Sequence, residues 1–251
     1  MPPKRSKAAS FSHPSLFELQ AESDDSKREK PQRSNEIPGI LLGTFSFTAK
    51  GWEGTFYPQG MRSHDFLGYY AKQFRTVEID STFYGTPKPS TVSNWKQRTP
   101  SDFVFVVKVP QIVTHDKILV GSEQDFREFL ETISLLGGKL GPMLFQFLKF
   151  DKWVLKDSEA FLTRLDSFLK QFSSPAFRYA VEVRNKNWLD ASLANFLRER
   201  NIALALTDTT FVPRPWEIDR DLVTADFAYV RWLGNRKGIE ETTTTWDKAN
   251  H

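Results

Sequence analysis

The chain has 251 residues, 39% of them hydrophobic, with 22 Phe and a formal net charge of +3, enough for one large domain or two small ones. It has no cysteine, which excludes disulfides, thiolate metal sites and a cysteine nucleophile together. Lys and Arg alternate with Asp and Glu, so charge alone gives little support for a nucleic-acid partner. No apolar run approaches the roughly 20 residues of a membrane span, and the basic start at Met1–Lys7 is not followed by an apolar stretch. The expectation is a soluble cytoplasmic protein without a secretory signal.

Residues 1–36 are rich in Ser, Lys, Glu, Asp and Pro, with only Leu16-Phe17-Glu18-Leu19 able to bury anything. They read as a disordered polar tail ahead of a folded domain over residues 37–251. From Ile40 apolar strands alternate with amphipathic helices. Leu41–Phe45 is the first predicted strand, and Phe66, Leu67, Tyr70 and Phe74 mark the helix after it. The second strand is Thr76–Asp80, followed by a helix from Ser90 to about Arg98, and the third is Phe103–Val107. Phe126, Phe129, Leu130, Ile133 and Leu136 then recur at helical spacing, with Ser122 as the N-cap candidate and Gly137-Gly138 as the stop. Pro142–Phe147 is the fourth strand, with a helix carrying Phe161, Leu162, Leu165, Phe168 and Leu169. Arg178–Val183 is the fifth, with a helix over Asp190–Arg200, and Ile202–Leu206 and Phe227–Arg231 complete the set.

Such repeats imply parallel strands, because each helix carries the chain back before the next strand begins. A doubly wound open sheet and a (β/α)8 barrel both satisfy this. Gly43, Gly51 and Gly54 are too far apart for a dinucleotide fingerprint after the first strand, which favours the barrel. Its site would lie at the C-terminal ends of the strands.

Charges intrude at those ends. Strand alternation sorts them: if Val77, Ile79, Val181 and Val183 face the helices, then Glu78, Asp80, Glu182 and Arg184 face inward. The same rule pairs Lys108 with Val106, Gln146 with Leu144, and Arg231 with Tyr229, while Asp208 follows Leu204-Ala205-Leu206. Buried charges demand partners or a use. One reading is a salt-bridge network that fixes the strands. The functional reading makes Glu78 and Glu182 general acid and base, with Lys108, Arg184 and Arg231 holding a carboxylate, phosphate or oxyanion. Tyr84 and Gln146 orient substrate, Asp208 positions an arginine or caps a turn, and His115 serves proton transfer from the loop after the third strand. Asp80 joins the binding set, and Trp188, like Trp52, stacks a ring or packs in the core. The segment Phe211–Trp216 is a lid or an ordinary surface loop. A metal held by Glu78, Asp80, Glu182, Asp208 and His115 would compete with three cations, so neither metal nor cofactor is expected.

The segments Gly43-Thr44-Phe45-Ser46, Gly51-Trp52-Glu53-Gly54-Thr55-Phe56-Tyr57-Pro58, Glu78-Ile79-Asp80-Ser81-Thr82-Phe83-Tyr84, Phe105-Val106-Val107-Lys108-Val109-Pro110 with Thr114-His115-Asp116, Val181-Glu182-Val183-Arg184 with Trp188, and Tyr229-Val230-Arg231 with Gly234 together resemble the YecE-like family, catalogued as domain of unknown function 72. The resemblance runs from about Gly39 to the last residues. It implies an α/β fold, a TIM-like (β/α) barrel, and no established activity. Where the family tends to carry a proline pair after the glutamine of the fourth strand, this chain reads Gln146-Phe147-Leu148-Lys149. The family also continues past the region of Trp246-Asp247-Lys248 into a last helix and strand, so the resemblance implies a barrel lacking its last β/α unit. On that expectation the chain is a truncated product or fragment with unpaired strand edges.

Three functions compete. The first is an enzyme, a hydrolase or isomerase, acting on a small anionic or polyhydroxylated substrate by carboxylate acid/base chemistry. The second is a nucleic-acid binding or processing barrel, and the third a barrel that binds a small ligand without catalysis.

Overall fold

The computed structural model describes residues 37–210, 212–218 and 221–234, together with Gly238 and Glu241. All of these belong to one compact unit, residues 31–251, and the polar tail expected over residues 1–36 lies outside the described residues.

Six parallel strands follow one another in sequence order across a single sheet. They are β1 (Thr76–Ile79), β2 (Val104–Lys108), β3 (Leu140–Gln146), β4 (Tyr179–Glu182), β5 (Ala203–Thr207) and β6 (Tyr229–Arg231). Among the described residues five complete α-helices are interleaved with them: α1 (Phe66–Gln73), α2 (Pro89–Gln97), α3 (Glu123–Ile133), α4 (Ser158–Leu169) and α5 (Ala191–Glu199). Because each strand is laid beside its predecessor with one hand of crossover, the sheet curls in one direction into a half-barrel.

Local chemistry sets the helix starts. Asp157 and Asp190 accept from the backbone N–H groups of Ala160 and Leu193, each at 2.9 Å, and so cap α4 and α5. Pro89, which has no N–H to lose, occupies the first turn of α2. Ser122 stands at the start of α3 as expected, but its hydroxyl makes no capping bond and is buried without a partner.

The alternation along each strand divides the molecule into two apolar layers. Val77, Ile79, Phe105, Val107, Met143, Phe145, Val181 and Leu204 face the helices and join the main core with Phe126, Phe161 and Phe168. The opposite faces carry Val106, Leu144, Ala180, Ala203 and Ala205, with Phe227 and Tyr229 packed against them. This inner layer is small at β4 and β5, and the vacated volume accommodates long side chains from β6.

The first predicted strand is corrected. Leu41–Phe45 forms no strand, although it runs beside β1, where the Thr44 carbonyl accepts from the Glu78 N–H at 2.9 Å. Gly43 approaches so closely that a Cβ there would lie 2.1 Å from the Thr76 carbonyl oxygen. One inter-strand bond is not a ladder, and Leu41 and Leu42 remain exposed.

Candidate functional site

The central charged group is Arg231, delivered by β6 to two buried carboxylates, of which Glu182 is the more enclosed. Its Nε and Nη2 donate to Glu78 Oε2 and Oε1 at 2.9 and 2.8 Å, and its Nη1 donates to Glu182 Oε2 at 2.5 Å. Both carboxylates and the guanidinium are buried. The phenol of Tyr229 also donates to Glu78 Oε2. Burial works against the charged guanidinium, and Glu78 and Glu182 outweigh it, so the pKa of Arg231 is raised. Burial, then the charge of Glu78, pushes the Tyr229 phenol well above its ordinary value.

A second tier lies nearer solvent. Lys108 Nζ bonds Asp80 Oδ1 at 2.9 Å and sits 4.1 Å from the centre of the Phe83 ring. Arg184 Nε donates to the remaining oxygen of Glu182 at 3.3 Å. Thr82 ties this tier to the strands, its hydroxyl bridging the carbonyls of Ile79 and Lys108 at 2.7 Å each. His115 meets Phe83 edge to face, with ring centres 4.7 Å apart, and shares a 2.8 Å hydrogen bond with the Thr114 hydroxyl through Nδ1. Its pKa is lowered to about 4 by burial and then by the positive charges of Lys108 and Arg184, so the ring is neutral at physiological pH.

His115 lies on one turn of π-helix, Ile112–Asp116, a geometry concentrated at functional sites. The turn is closed by a left-handed segment in which Ile118 and Leu119 have φ of 45° and 67°. Ile118 is β-branched and pays steric strain there. The 2.8 Å bond from Leu119 N–H to the Val113 carbonyl holds the segment in place.

The structure thus brings together Glu78, Asp80, Lys108, His115, Glu182, Arg184 and Arg231. Gln146 is buried and stands in register with Glu182 on the neighbouring strand. Tyr84 is exposed at the same end of the sheet. Asp208 does not position an arginine: its Oδ1 accepts from the backbone N–H groups of Leu233 and Gly234 at 2.5 and 3.0 Å, bracing the exit from β6. Trp188 is corrected from substrate stacking to core, because it is buried with Phe161 and Phe150 stacked at 5.0 and 6.0 Å. Trp52 is partly buried and packs at tilted angles against Phe56 and Tyr57. The segment Phe211–Trp216, expected as a lid or an ordinary surface loop, is described from Val212 onward: Val212, Pro213 and Pro215 line a crevice with Val183 and Leu204, and Trp216 is exposed, while Phe211 is outside the described residues.

Tyr229 and Phe83 were not expected in the site. Alternation already placed Tyr229 inward, whereas Phe83 follows β1 in a 3-10 turn, Asp80–Tyr84, where strand periodicity gives no direction. The oxygen donors weighed as metal ligands are engaged: Glu78 and Glu182 by Arg231, Asp80 by Lys108, and Asp208 by backbone amides. Among the described residues no helix is long and apolar enough to cross a membrane.

Residues 41–250 match the family described as protein of unknown function DUF72. The chain belongs to the DUF72 family. It is 28% identical over 148 residues to the UPF0759 protein YecE of Escherichia coli K12, covering 57% of this chain and 52% of that protein. It is 29% identical over 147 residues to the UPF0759 protein YunF of Bacillus subtilis, covering 55% and 50% respectively. The chain therefore spans about half the length of these curated DUF72 relatives. Two crystal structures of a DUF72 family protein from Enterococcus faecalis share its fold. The TM-scores are 0.59 and 0.57 at 24% and 23% identity, over 78% and 82% of this chain and 71% and 77% of theirs.

Proposed function

We propose that the C-terminal end of the sheet binds and acts on a small anionic substrate, and that the half-barrel forms part of a TIM-like (β/α) barrel. The observation that supports this best is the layered charge arrangement: a buried Glu78–Arg231–Glu182 group beneath Lys108, Arg184 and a neutral His115. Lys108 and Arg184 receive the negative charge of the substrate. Glu78 and Glu182, expected from sequence as acid and base, are both held by Arg231. In this reading they fix and balance the guanidinium rather than reach the substrate. Proton transfer then falls to His115, whose ring is neutral and unprotonated at physiological pH, and to Asp80, whose side chain is 34% exposed. Polyhydroxylated anions fit the same site through Tyr84 and Gln146.

A thermal-shift screen of inorganic phosphate, simple carboxylates and sugar phosphates tests the reading, since a ligand of the native state raises the melting temperature by mass action. At least one anion should stabilise the protein, and the gain should disappear in Arg184→Gln. Equal melting temperatures with and without every anion would end the proposal.

A further inference from the structure

Two neighbouring loops at this end of the sheet carry a feature that the charged cluster does not use. The loop from β3 to α4, residues 147–157, is anchored by the buried side chains of Phe150 and Leu155, and between them it presents Trp153 at 84% exposure. Lys149, Lys152 and Lys156 are exposed on the same loop. The loop after β4 adds Arg184 and the exposed Lys186.

Asn185 fastens these loops to each other. Its Nδ2 donates to the Phe150 carbonyl and its Oδ1 accepts from the Phe150 N–H, both at 2.8 Å, and the asparagine is buried. Phe150 in turn stacks on Trp188. The bare indole is therefore held on a braced support, in contrast to a side chain at a loose loop tip. Of the nearby acids, Asp157 and Asp190 are occupied as helix caps, and Asp151, exposed between Lys149 and Lys152, leaves the two loops a net positive charge. Lys149, Lys152 and Lys186 enter no ion pair among the described residues, whereas Lys156 lies 3.8 Å from Asp157.

An exposed indole among several cations matches a partner that carries both flat rings and repeated negative charge. We infer that this surface binds single-stranded nucleic acid, with Trp153 stacking on an unpaired base and Lys149, Lys152 and Lys186 contacting the flanking phosphates. A duplex hides its base faces and offers the indole nothing to stack on, whereas every unpaired base has one. The same end of the sheet supplies a further stacking surface, Trp216 and Trp232, with ring centres 6.2 Å apart and the Arg214 guanidinium 5.5 Å from the Trp216 ring. The inference rests on the small-anion reading for one contact, a phosphate at Arg184; the two loops carry the rest.

The test is fluorescence anisotropy of the full chain with a labelled oligothymidylate of about a dozen nucleotides and a duplex of the same length, beside a thermal-shift titration with inorganic phosphate. The single strand should bind more tightly than the duplex. Trp153→Ala should weaken it at least about fivefold, as the loss of one stacked base does, with an unchanged phosphate shift. With about three phosphate contacts, raising salt from about 50 to 200 mM should lower affinity about tenfold or more. Equal binding of duplex and single strand, no effect of Trp153→Ala, or no binding of the oligonucleotide would each overturn the inference. A phosphate shift surviving alongside any of those results leaves the small-anion reading standing, and its absence removes that reading separately.

Discussion

Arg231 on the last strand of the described sheet holds both carboxylate oxygens of Glu78 on the first, across 153 positions of sequence. No backbone ladder joins β6 to β1, so side chains make the link, and a third group, Glu182 on β4, shares the guanidinium. Arg231→Met would leave two buried carboxylates without their cation. We expect a loss of about 3–5 kcal/mol in urea denaturation, the usual cost of orphaning a buried charge. An unchanged midpoint would show that the link contributes nothing to folding.

Replacing the whole group distinguishes its two roles. Buried ion networks are often exchangeable for apolar residues at no cost, so Glu78→Leu, Glu182→Leu and Arg231→Met combined should recover much of the stability lost by Arg231→Met alone. The same triple variant should fail to gain stability from any anion that protects the parent protein. If anion protection survives in it, the network is only a brace.

His115 gives the protein a predictable acid response. Its folded-state pKa of about 4 lies below the ordinary value of 6.5, so between those values the unfolded chain binds a proton that the folded chain refuses. Stability therefore rises with pH through this window and falls as pH is lowered from 6.5 toward 4. The parent protein should lose more stability than His115→Gln between pH 7 and pH 4.5. Superimposable pH profiles would contradict this assignment, as would a His115 NMR titration centred near 6.5.

Trp188 and Arg184 should separate cleanly. Trp188→Ala removes an indole stacked between Phe150 and Phe161 and should cost about 3–5 kcal/mol. Arg184→Gln, at a partly exposed guanidinium, should change melting temperature little in buffer while abolishing stabilisation by anions. A reversed pattern would place the indole in the site and the arginine in the scaffold.

Gly43→Ala probes the segment before β1. The added methyl would meet the Thr76 backbone carbonyl at 2.1 Å, well inside the 3.0 Å to the Thr76 side-chain methyl, so relief requires the Leu41–Phe45 segment to move from Thr76. A cost of about 1–3 kcal/mol is expected from overpacking alone, read from the melting temperature. A neutral result would mean that this segment does not rest against β1 in solution.

Much of this arrangement was legible in the sequence. The helices fall where their apolar stripes were read, although α3 gives way to a 3-10 turn after Ile133, short of Leu136 and the Gly137-Gly138 stop, and alternation along Val77-Glu78-Ile79 and Val181-Glu182-Val183 set the carboxylates on the inner face. Two kinds of residue escaped. Leu41–Phe45 has the composition of a strand, but strand formation is decided by a neighbour, and the described neighbour supplies one bond. Trp188 and Phe83 lie just beyond strand ends in 3-10 turns, where neither period assigns a direction; Trp188, left open between stacking a ring and packing in the core, is core, and Phe83 lies against Lys108 and His115. For Asp208 the sequence left open an arginine partner or a turn cap; it accepts from backbone amides, and those amides belong to residues 25 and 26 positions away, where no local pattern points.

The uneven distribution of tryptophan also equips the molecule with a native optical probe. Trp95 and Trp188 are enclosed, while Trp153, Trp216 and Trp232 are open to water on the loops beyond the strand ends. Collisional quenchers will thus silence that pole of the protein first. Iodide, drawn by the neighbouring lysines, should do so more efficiently than caesium, and events there can be followed without attaching a dye.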